Sequence, residues 1–320
     1  MPIVVNDRIF GRQVIASPAL LDLLKSKPLQ RLKGICQFGV PDKYYHLKNY
    51  TRYEHSVGVM LLLRNLKASD VEQVAGLLHD VSHTAFSHVI DWVINKGNGG
   101  NNEEYQDSNH LNFLKKTGLD RLLRFHAYNP MVVGQTKKFT LLETELPALC
   151  ADRVDYALRE FPLATARRLL SRLRVSEGRI VLADKASAEN FAELFLSKQI
   201  NHWGSLEAVT RFYYFAQILR KAIENSTLIF EDFWSDDDNV LKKIEAVPEF
   251  KLRLSALRRK PLHIKGFSRV IMKKKFRYVD PCFIDGSSVV RLSDCNPRFV
   301  KALKKAKLQN LRGVRIPILI

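Results

Sequence analysis

Val74-Ala75-Gly76-Leu77-Leu78-His79-Asp80-Val81-Ser82-His83-Thr84-Ala85-Phe86-Ser87-His88 is the stretch that decides how this chain is read. An apolar run ends on an imidazole and a carboxylate side by side, and His83 and His88 follow at once. At the end of a buried helix such a pair is costly to desolvate unless something binds it. A divalent metal is the natural partner, and it points to a hydrolase rather than a scaffold.

Helices dominate outward from this stretch. Thr51-Arg52-Tyr53-Glu54 and Ser69-Asp70-Val71-Glu72 both fit the capping box, with Ser or Thr at the cap and Glu three residues on. They predict helices reaching Asn65 and His79. A third helix is predicted over Ala85–Asn95, then an open loop over 97–102. Further helices are predicted at Ser108–Lys116, Asp120–Phe125 and Glu143–Phe161. Upstream, a short strand or hairpin is expected at Ile3–Val5 and Ile9–Gly11. Leucines at helical spacing then run through Ser17–Phe38, broken by Pro28.

Downstream, Val175–Val181 has a turn signal between β-branched residues and predicts a small hairpin. Helices are expected at Ser187–Asn201 and Leu206–Asn225, with Asp236-Asp237-Asp238 capping another. Beyond Pro248 the pattern predicts strands at 269–272, 276–279 and 289–292, a helix at Pro297–Lys305 and a terminal strand at 314–316. The fold class is mainly α: a helical bundle with a small β-hairpin and a C-terminal α+β section. The expected division is a main domain over 1–230 and a basic subdomain over 231–320.

The 320 residues are 46% hydrophobic, enough for a sizeable core. No apolar stretch approaches the ~20 residues of a membrane span, and Met1–Asp7 shows no secretory signal. Cys36, Cys150, Cys282 and Cys295 follow no disulfide or metal spacing. Reduced thiols and a cytoplasmic location are expected. The net charge of +18 is unevenly placed: residues 251–320 hold 19 Lys and Arg against 3 Asp and Glu. Such a tail suits polyanions, including nucleic acid, although a solvated surface or a protected strand edge at Lys273-Lys274-Lys275 has the same composition. Clustered bases also suit a subunit interface opposite Asp236-Asp237-Asp238 of a neighbour.

A lone buried histidine is more often a satisfied structural group than a ligand. Here five of the nine histidines lie between His55 and His110. His55 falls one turn into a capped helix. A distant carboxylate must complete a site with His79 and Asp80, and the best candidate is Asp152. Asp152, Tyr156 and Glu160 recur every four residues and share one helix face.

These residues resemble the HD superfamily of metal-dependent phosphohydrolases, in the branch that includes deoxynucleoside triphosphate triphosphohydrolases. The matching motifs are Arg52-Tyr53-Glu54-His55-Ser56-Val57-Gly58-Val59, the His79–His88 stretch, and Asp152-Arg153-Val154-Asp155-Tyr156-Ala157-Leu158-Arg159-Glu160. The resemblance covers about residues 1–230 and implies an HD-domain helical bundle. It implies one divalent transition metal (Fe, Mn, Zn or Ni) held by His55, His79, Asp80 and Asp152, with Mg²⁺ arriving on the nucleotide. It implies catalytic roles for His88, His83 and His110. It places Arg52 and Arg153 on phosphate oxygens, Tyr156 and Glu160 at the sugar and base, and Gln37 at the deoxyribose. The implied reaction takes a dNTP to deoxynucleoside and triphosphate, and the family's habit implies a homo-oligomer.

Three departures stand out. Leu111 follows His110 where the family has Glu, so Glu103, Glu104 or Asp107 is left to supply that carboxylate. Lys25 and Lys33 replace residues that meet a nucleotide activator, so activation is not carried over. Compared with the regulated enzymes, no accessory domain is expected here. Alternatives are therefore hydrolysis of a nucleoside monophosphate, a cyclic or a signalling nucleotide, and nucleic-acid binding through residues 251–320.

Overall fold

Thr51 caps the central helix, Arg52–Asn65, in full. Its hydroxyl accepts the Glu54 N–H and the Glu54 carboxylate accepts the Thr51 N–H. Ser69 opens the next helix, Asp70–Leu78, but that box is only half made. The Glu72 carboxylate reaches instead to the N–H groups of Leu141 and Leu142, both at 3.0 Å. A long-range contact has displaced the local one and ties the chain before helix Ala151–Glu160 to the bundle.

The computed structural model describes residues 1–95 and 105–320. Among them are sixteen α-helices and eight short strands, so the fold is mainly α. The loop expected over 97–102, and Glu103 and Glu104, lie outside the described residues. No helix among the described residues is long and apolar enough to cross a membrane.

Ile3–Asp7 and Gly11–Ile15 form an antiparallel hairpin. The predicted hairpin, Leu173–Ser176 with Arg179–Leu182, is one half of a four-stranded sheet. Leu182 lies opposite Phe283 in parallel pairing, and Cys282–Asp285 then pairs with Ser288–Arg291. Ile264–Met272 and Val314–Leu319 make a separate antiparallel pair. Residues on both sides of position 230 thus share one sheet.

Besides the second strand of the first hairpin, which is Gly11–Ile15 and not Ile9–Gly11, three elements differ from the sequence pattern. The helix expected from Glu143 begins only at Ala151. Pro147 has no N–H and restrains Leu146, and Leu149 instead bridges Ile180. The helix expected from Ala85 begins at Val89. Phe86 and Ser87 stand at φ 63° and 47°, in the left-handed region that stops a helix. The strand expected over 276–279 is absent, and the Arg277 N–H donates to the Gln199 side chain at 3.0 Å.

Two apolar clusters form the core. One gathers Leu61, Leu77, Val154, Phe161 and Phe191, and the other gathers Trp92, Phe212, Phe215, Phe233 and Ile316. The histidine-rich stretch passes between them, from Val81 in the first to Ala85 and Phe86 in the second.

Candidate metal centre and its pocket

The turn after His79 is held by distant residues. The Ala85 N–H donates to the Phe233 carbonyl and the Phe86 N–H to Asp237 Oδ1, each at 2.7 Å. Arg31 donates to the carbonyls of Val81 at 2.9 Å and His83 at 2.7 Å. Two consecutive left-handed residues cost of order 1–3 kcal/mol each, so they persist only where the surroundings fix them.

His55, His79 and Asp152 converge, although they come from three helices or helix ends. His55 Nε2 lies 2.9 Å from Asp152 Oδ1 and 3.2 Å from His79 Nε2. His79 Nε2 is 3.7 Å from the same Asp152 oxygen. Asp80 lies alongside, Oδ1 3.5 Å from His79 Nε2 and Oδ2 3.7 Å from His55 Nε2. Its Oδ2 also accepts from Arg52 Nη1 at 2.6 Å, and His83 Nε2 lies 3.3 Å from Oδ1.

The outer partners decide how the imidazoles face. His55 Nδ1 meets the Asp155 carboxylate at 2.8 Å, and His79 Nδ1 meets the Gly76 carbonyl at 2.7 Å. Both partners only accept, so each Nδ1 carries the proton. In the neutral rings the Nε2 lone pairs then point at one another and at a carboxylate. Lone pairs so placed repel unless a cation lies between them, and two imidazoles with a carboxylate are a donor set for a transition metal. The residues fit such an ion. Burial opposes charge on His79, but Asp80 and Asp152 prevail and raise it to about 9 without metal. Burial likewise opposes charge on Asp80, yet Arg52, His79 and His83 hold its carboxyl well below the usual range.

Asp155 is itself clamped. It accepts from Arg159 Nε at 2.7 Å, and Arg159 Nη2 reaches Asp7 Oδ2 at 2.8 Å. All three are buried. Gly58 makes room for them, because a Cβ there would fall 2.1 Å from Asp155 Oδ1.

The cluster opens into a cavity of about 360 Å³. His79, Asp80, His83, His88, Asp152, Arg52, Arg153, Tyr156, Glu160 and Gln37 all line it; His55 and His110 do not. His110 is buried behind Ser82, with Nδ1 2.8 Å from the hydroxyl. His88 stands edge-on to His83 at 4.9 Å and 3.3 Å from Asp91. Burial, with Arg52 nearby, drives His83 down to about 3, so it is a neutral ring. Arg153 donates to the carbonyls of Ala148 at 2.6 Å and Thr144 at 2.9 Å. Gln37 Oε1 is buried with no hydrogen-bond partner among the described residues. Asp107, the described alternative to a Glu at position 111, lines the cavity and lies 3.7 Å from Lys137.

Glu160 has both oxygens occupied, accepting from His202 Nδ1 at 2.6 Å and Trp203 Nε1 at 2.7 Å. His202 Nε2 in turn meets the Tyr45 hydroxyl at 2.8 Å. These two rings come from a π-helical turn, Gln199–Trp203, which sequence periodicity gives no sign of. Gln106, Lys137, Lys274, Lys275 and Arg277 also line the cavity without having been singled out as site residues. Only the excess of basic residues signalled the last three.

The HD domain family matches residues 52–122. YdhJ of Bacillus subtilis, an uncharacterized protein, is 33% identical across 98% of this chain and 99% of its own length. The metal-dependent phosphohydrolase cns2 of Cordyceps militaris is 32% identical over 74% of this chain and 71% of its own. The deoxynucleoside triphosphate triphosphohydrolase SAMHD1 of Bos taurus is 33% identical, over only 28% of this chain and 17% of its own. The crystal structure of a phosphohydrolase from Bacteroides thetaiotaomicron superposes with a TM-score of 0.69 over 99% of this chain and 98% of that one. At 17% identity that likeness speaks for the fold alone.

Proposed function

This chain belongs to the HD-domain metal-dependent phosphohydrolases, and from that premise we propose that it hydrolyses a nucleotide, with a dNTP cut to deoxynucleoside and triphosphate as the leading reaction. The observation that carries the reading is the convergence of His55, His79 and Asp152, with Asp80 beside them, where His79, Asp80 and Asp152 line a cavity walled by cations and histidines.

His55, His79, Asp80 and Asp152 would hold the metal. When bound, it supplies Lewis acidity and lowers the pKa of water. Arg52, fixed by Asp80 and the Ser87 hydroxyl at 3.0 Å, presents a preorganised guanidinium to a phosphate oxygen. Arg153, pinned by two carbonyls, does the same from the helix that bears Asp152. His88 lines the open cavity and is the proton donor to the departing oxygen. His83 stays neutral and orients His88 edge to face. His110 acts from behind, by fixing Ser82.

One observation favours a different phosphoester as substrate. Each Glu160 oxygen already accepts one ring N–H group, which fixes the carboxylate and leaves only its remaining lone pairs for a sugar hydroxyl. A panel of dNTPs, nucleoside monophosphates and cyclic and signalling nucleotides, run with Mn²⁺ or Fe²⁺, separates the two. Release of triphosphate from dNTPs, abolished in His79→Ala and Asp152→Ala, is expected. Turnover of other members alone would move the assignment to them. No turnover of any, or turnover indifferent to both variants, would overturn the reading.

A further inference from the structure

Hydrolysis moves two protons: one leaves the attacking water and one reaches the departing oxygen. His88 serves the second, and the first needs an acceptor. Among the described residues five carboxylates line the cavity: Asp80, Asp107, Glu143, Asp152 and Glu160. Asp80 and Asp152 belong to the proposed ligand set. Glu160 stands about two helical turns beyond Asp152 and is fixed by two ring N–H groups. Asp107, with a half-exposed side chain, faces Lys137 at 3.7 Å. Glu143 is left, and no step assigned so far uses it.

Backbone pairing puts Glu143 beside Asp152. The Ala151 N–H donates to the Leu141 carbonyl at 2.7 Å and the Asp152 N–H to the Leu142 carbonyl at 3.3 Å. Glu72 holds the same two residues, accepting the Leu141 and Leu142 N–H groups at 3.0 Å each. Glu72 lies on helix Asp70–Leu78, which ends at His79. The segment before Glu143 is therefore tied both to the helix that leads to His79 and to the helix that bears Asp152. The side chain is placed as closely. Carboxylate oxygens of Glu143 and Asp152 lie within 4.8 Å of one another, with Cys150 Sγ inside the same distance. Two O–H···O bonds of about 2.8 Å span up to about 5.6 Å, so one water can bridge these carboxylates. Glu143 Oε1 is anchored: the Thr144 N–H donates to it at 3.1 Å, Arg153 Nη2 stands 3.5 Å away and the Cys150 thiol 3.8 Å. Oε2 enters no hydrogen bond or ion pair among the described residues, and the side chain keeps 29% of its surface open.

We propose that Glu143 is the general base of the reaction, a catalytic residue that orients the attacking water and takes its proton. This rests on the phosphohydrolase reading and deepens it. The water oxygen forms the new bond to phosphorus while its proton passes to Glu143 Oε2. The bond from phosphorus to the leaving oxygen breaks, and His88 supplies the proton that oxygen needs. An anchored Oε1 and an open Oε2 suit that task, because the carboxylate is held in place while one oxygen still has its lone pairs for the water.

The test compares full-length, Mn²⁺-loaded wild type with Glu143→Gln, which keeps the shape of the side chain and removes the base. The substrates are the nucleotide panel above and bis(4-nitrophenyl) phosphate, whose nitrophenolate departs without a proton. On that diester His88 has little to do, whereas the water still needs its base. Glu143→Gln is expected to lower kcat by ~100-fold or more on the diester and on any nucleotide that wild type cleaves, with KM within ~threefold. Calorimetry with Mn²⁺ should give an affinity within ~threefold of wild type, which also shows that the variant is folded around its site. Turnover by wild type with kcat retained within ~threefold in Glu143→Gln overturns this assignment alone. A loss expressed in KM would make Glu143 a positioning residue for Arg153, and Mn²⁺ binding weakened ~10-fold or more would make it a ligand; either overturns the base. So does a loss of kcat that falls on Asp107→Asn and spares Glu143→Gln. If wild type cleaves neither the diester nor any nucleotide, the hydrolase reading fails and the base falls with it.

Discussion

Gly58→Ala should weaken both the metal site and the fold, against the ordinary rule. Gly58 lies within helix Arg52–Asn65, three residues after His55. In a helix interior alanine is normally favoured over glycine by about 1 kcal/mol. Here the added Cβ would stand 2.1 Å from Asp155 Oδ1 and 2.0 Å from Arg159 Nη2. Van der Waals contact begins near 3.4 Å, so the pair must retreat by roughly 1 Å. A bond of 2.8 Å, the His55–Asp155 distance, does not survive that movement. Neither partner has an easy retreat, because Arg159 is anchored to Asp7 and both are buried.

Two costs follow. Losing the outer partner of a metal-bound histidine lowers affinity by ~10–100-fold. Breaking a buried ion pair costs ~3–5 kcal/mol, which exceeds the helix gain of ~1 and leaves a net loss of ~2–4 kcal/mol. Titration calorimetry with Mn²⁺ and chemical denaturation measure the two separately. Gly266→Ala is the control: a Cβ there meets nothing within 4 Å, and its effect should stay within ~0.5 kcal/mol. A Gly58→Ala protein with wild-type metal affinity and greater stability would refute the reasoning.

Asp237→Asn tests the turn's anchor by pH. Burial, partly offset by hydrogen bonds from the Cys36 and Phe86 backbones, raises Asp237 to about 7. A carboxyl raised in the folded state contributes stability below its unfolded pKa and loses it as pH rises through 7, here by ~4 kcal/mol for about three units. Stability should therefore fall less steeply between pH 4 and 8 in the variant; parallel curves would contradict the assignment. Arg52→Ala leaves Asp80 buried beside two imidazoles without its cation, so metal-free protein should lose ~3–5 kcal/mol in denaturant unfolding. Glu160→Gln can accept only one of the two ring N–H groups it now holds, so Trp203 fluorescence should change, with KM rising more than kcat falls. An unchanged spectrum and unchanged KM would mean that the pair does not shape the pocket.

The convergence of His55, His79 and Asp152 was legible because its signal is local. Thr51 and Glu54 place His55 a fixed turn into a helix, the apolar run brings His79 to a helix end, and four-residue spacing puts Asp152, Tyr156 and Glu160 on one face. Local rules also produced the errors. Glu72 was assigned to its own helix cap, but two backbone N–H groups near residue 141 bind it instead. Residues 85–88 looked helical, and the contacts that hold them otherwise come from Phe233 and Asp237, about 150 positions away. No periodicity encodes a partner at that separation.

The C-terminal charge shows the same limit from another side. Composition established that residues 251–320 are strongly basic, and composition is silent on where charge points. In the structure, Lys265, Arg269 and Lys273 are exposed, whereas Lys274, Lys275 and Arg277 face the cavity of a domain whose family match ends at residue 122. The basic part of the cavity wall and the candidate metal ligands are therefore drawn from distant stretches of the chain. They are brought together by the parallel pairing of Leu182 with Phe283 and by Ile316 in the second apolar cluster. Weakening that packing should impair substrate binding before metal binding. The cations depend on the C-terminal packing, whereas three of the four proposed ligands lie in helices Arg52–Asn65 and Ala151–Glu160 or directly after helix Asp70–Leu78, and Asp80 follows His79 in sequence.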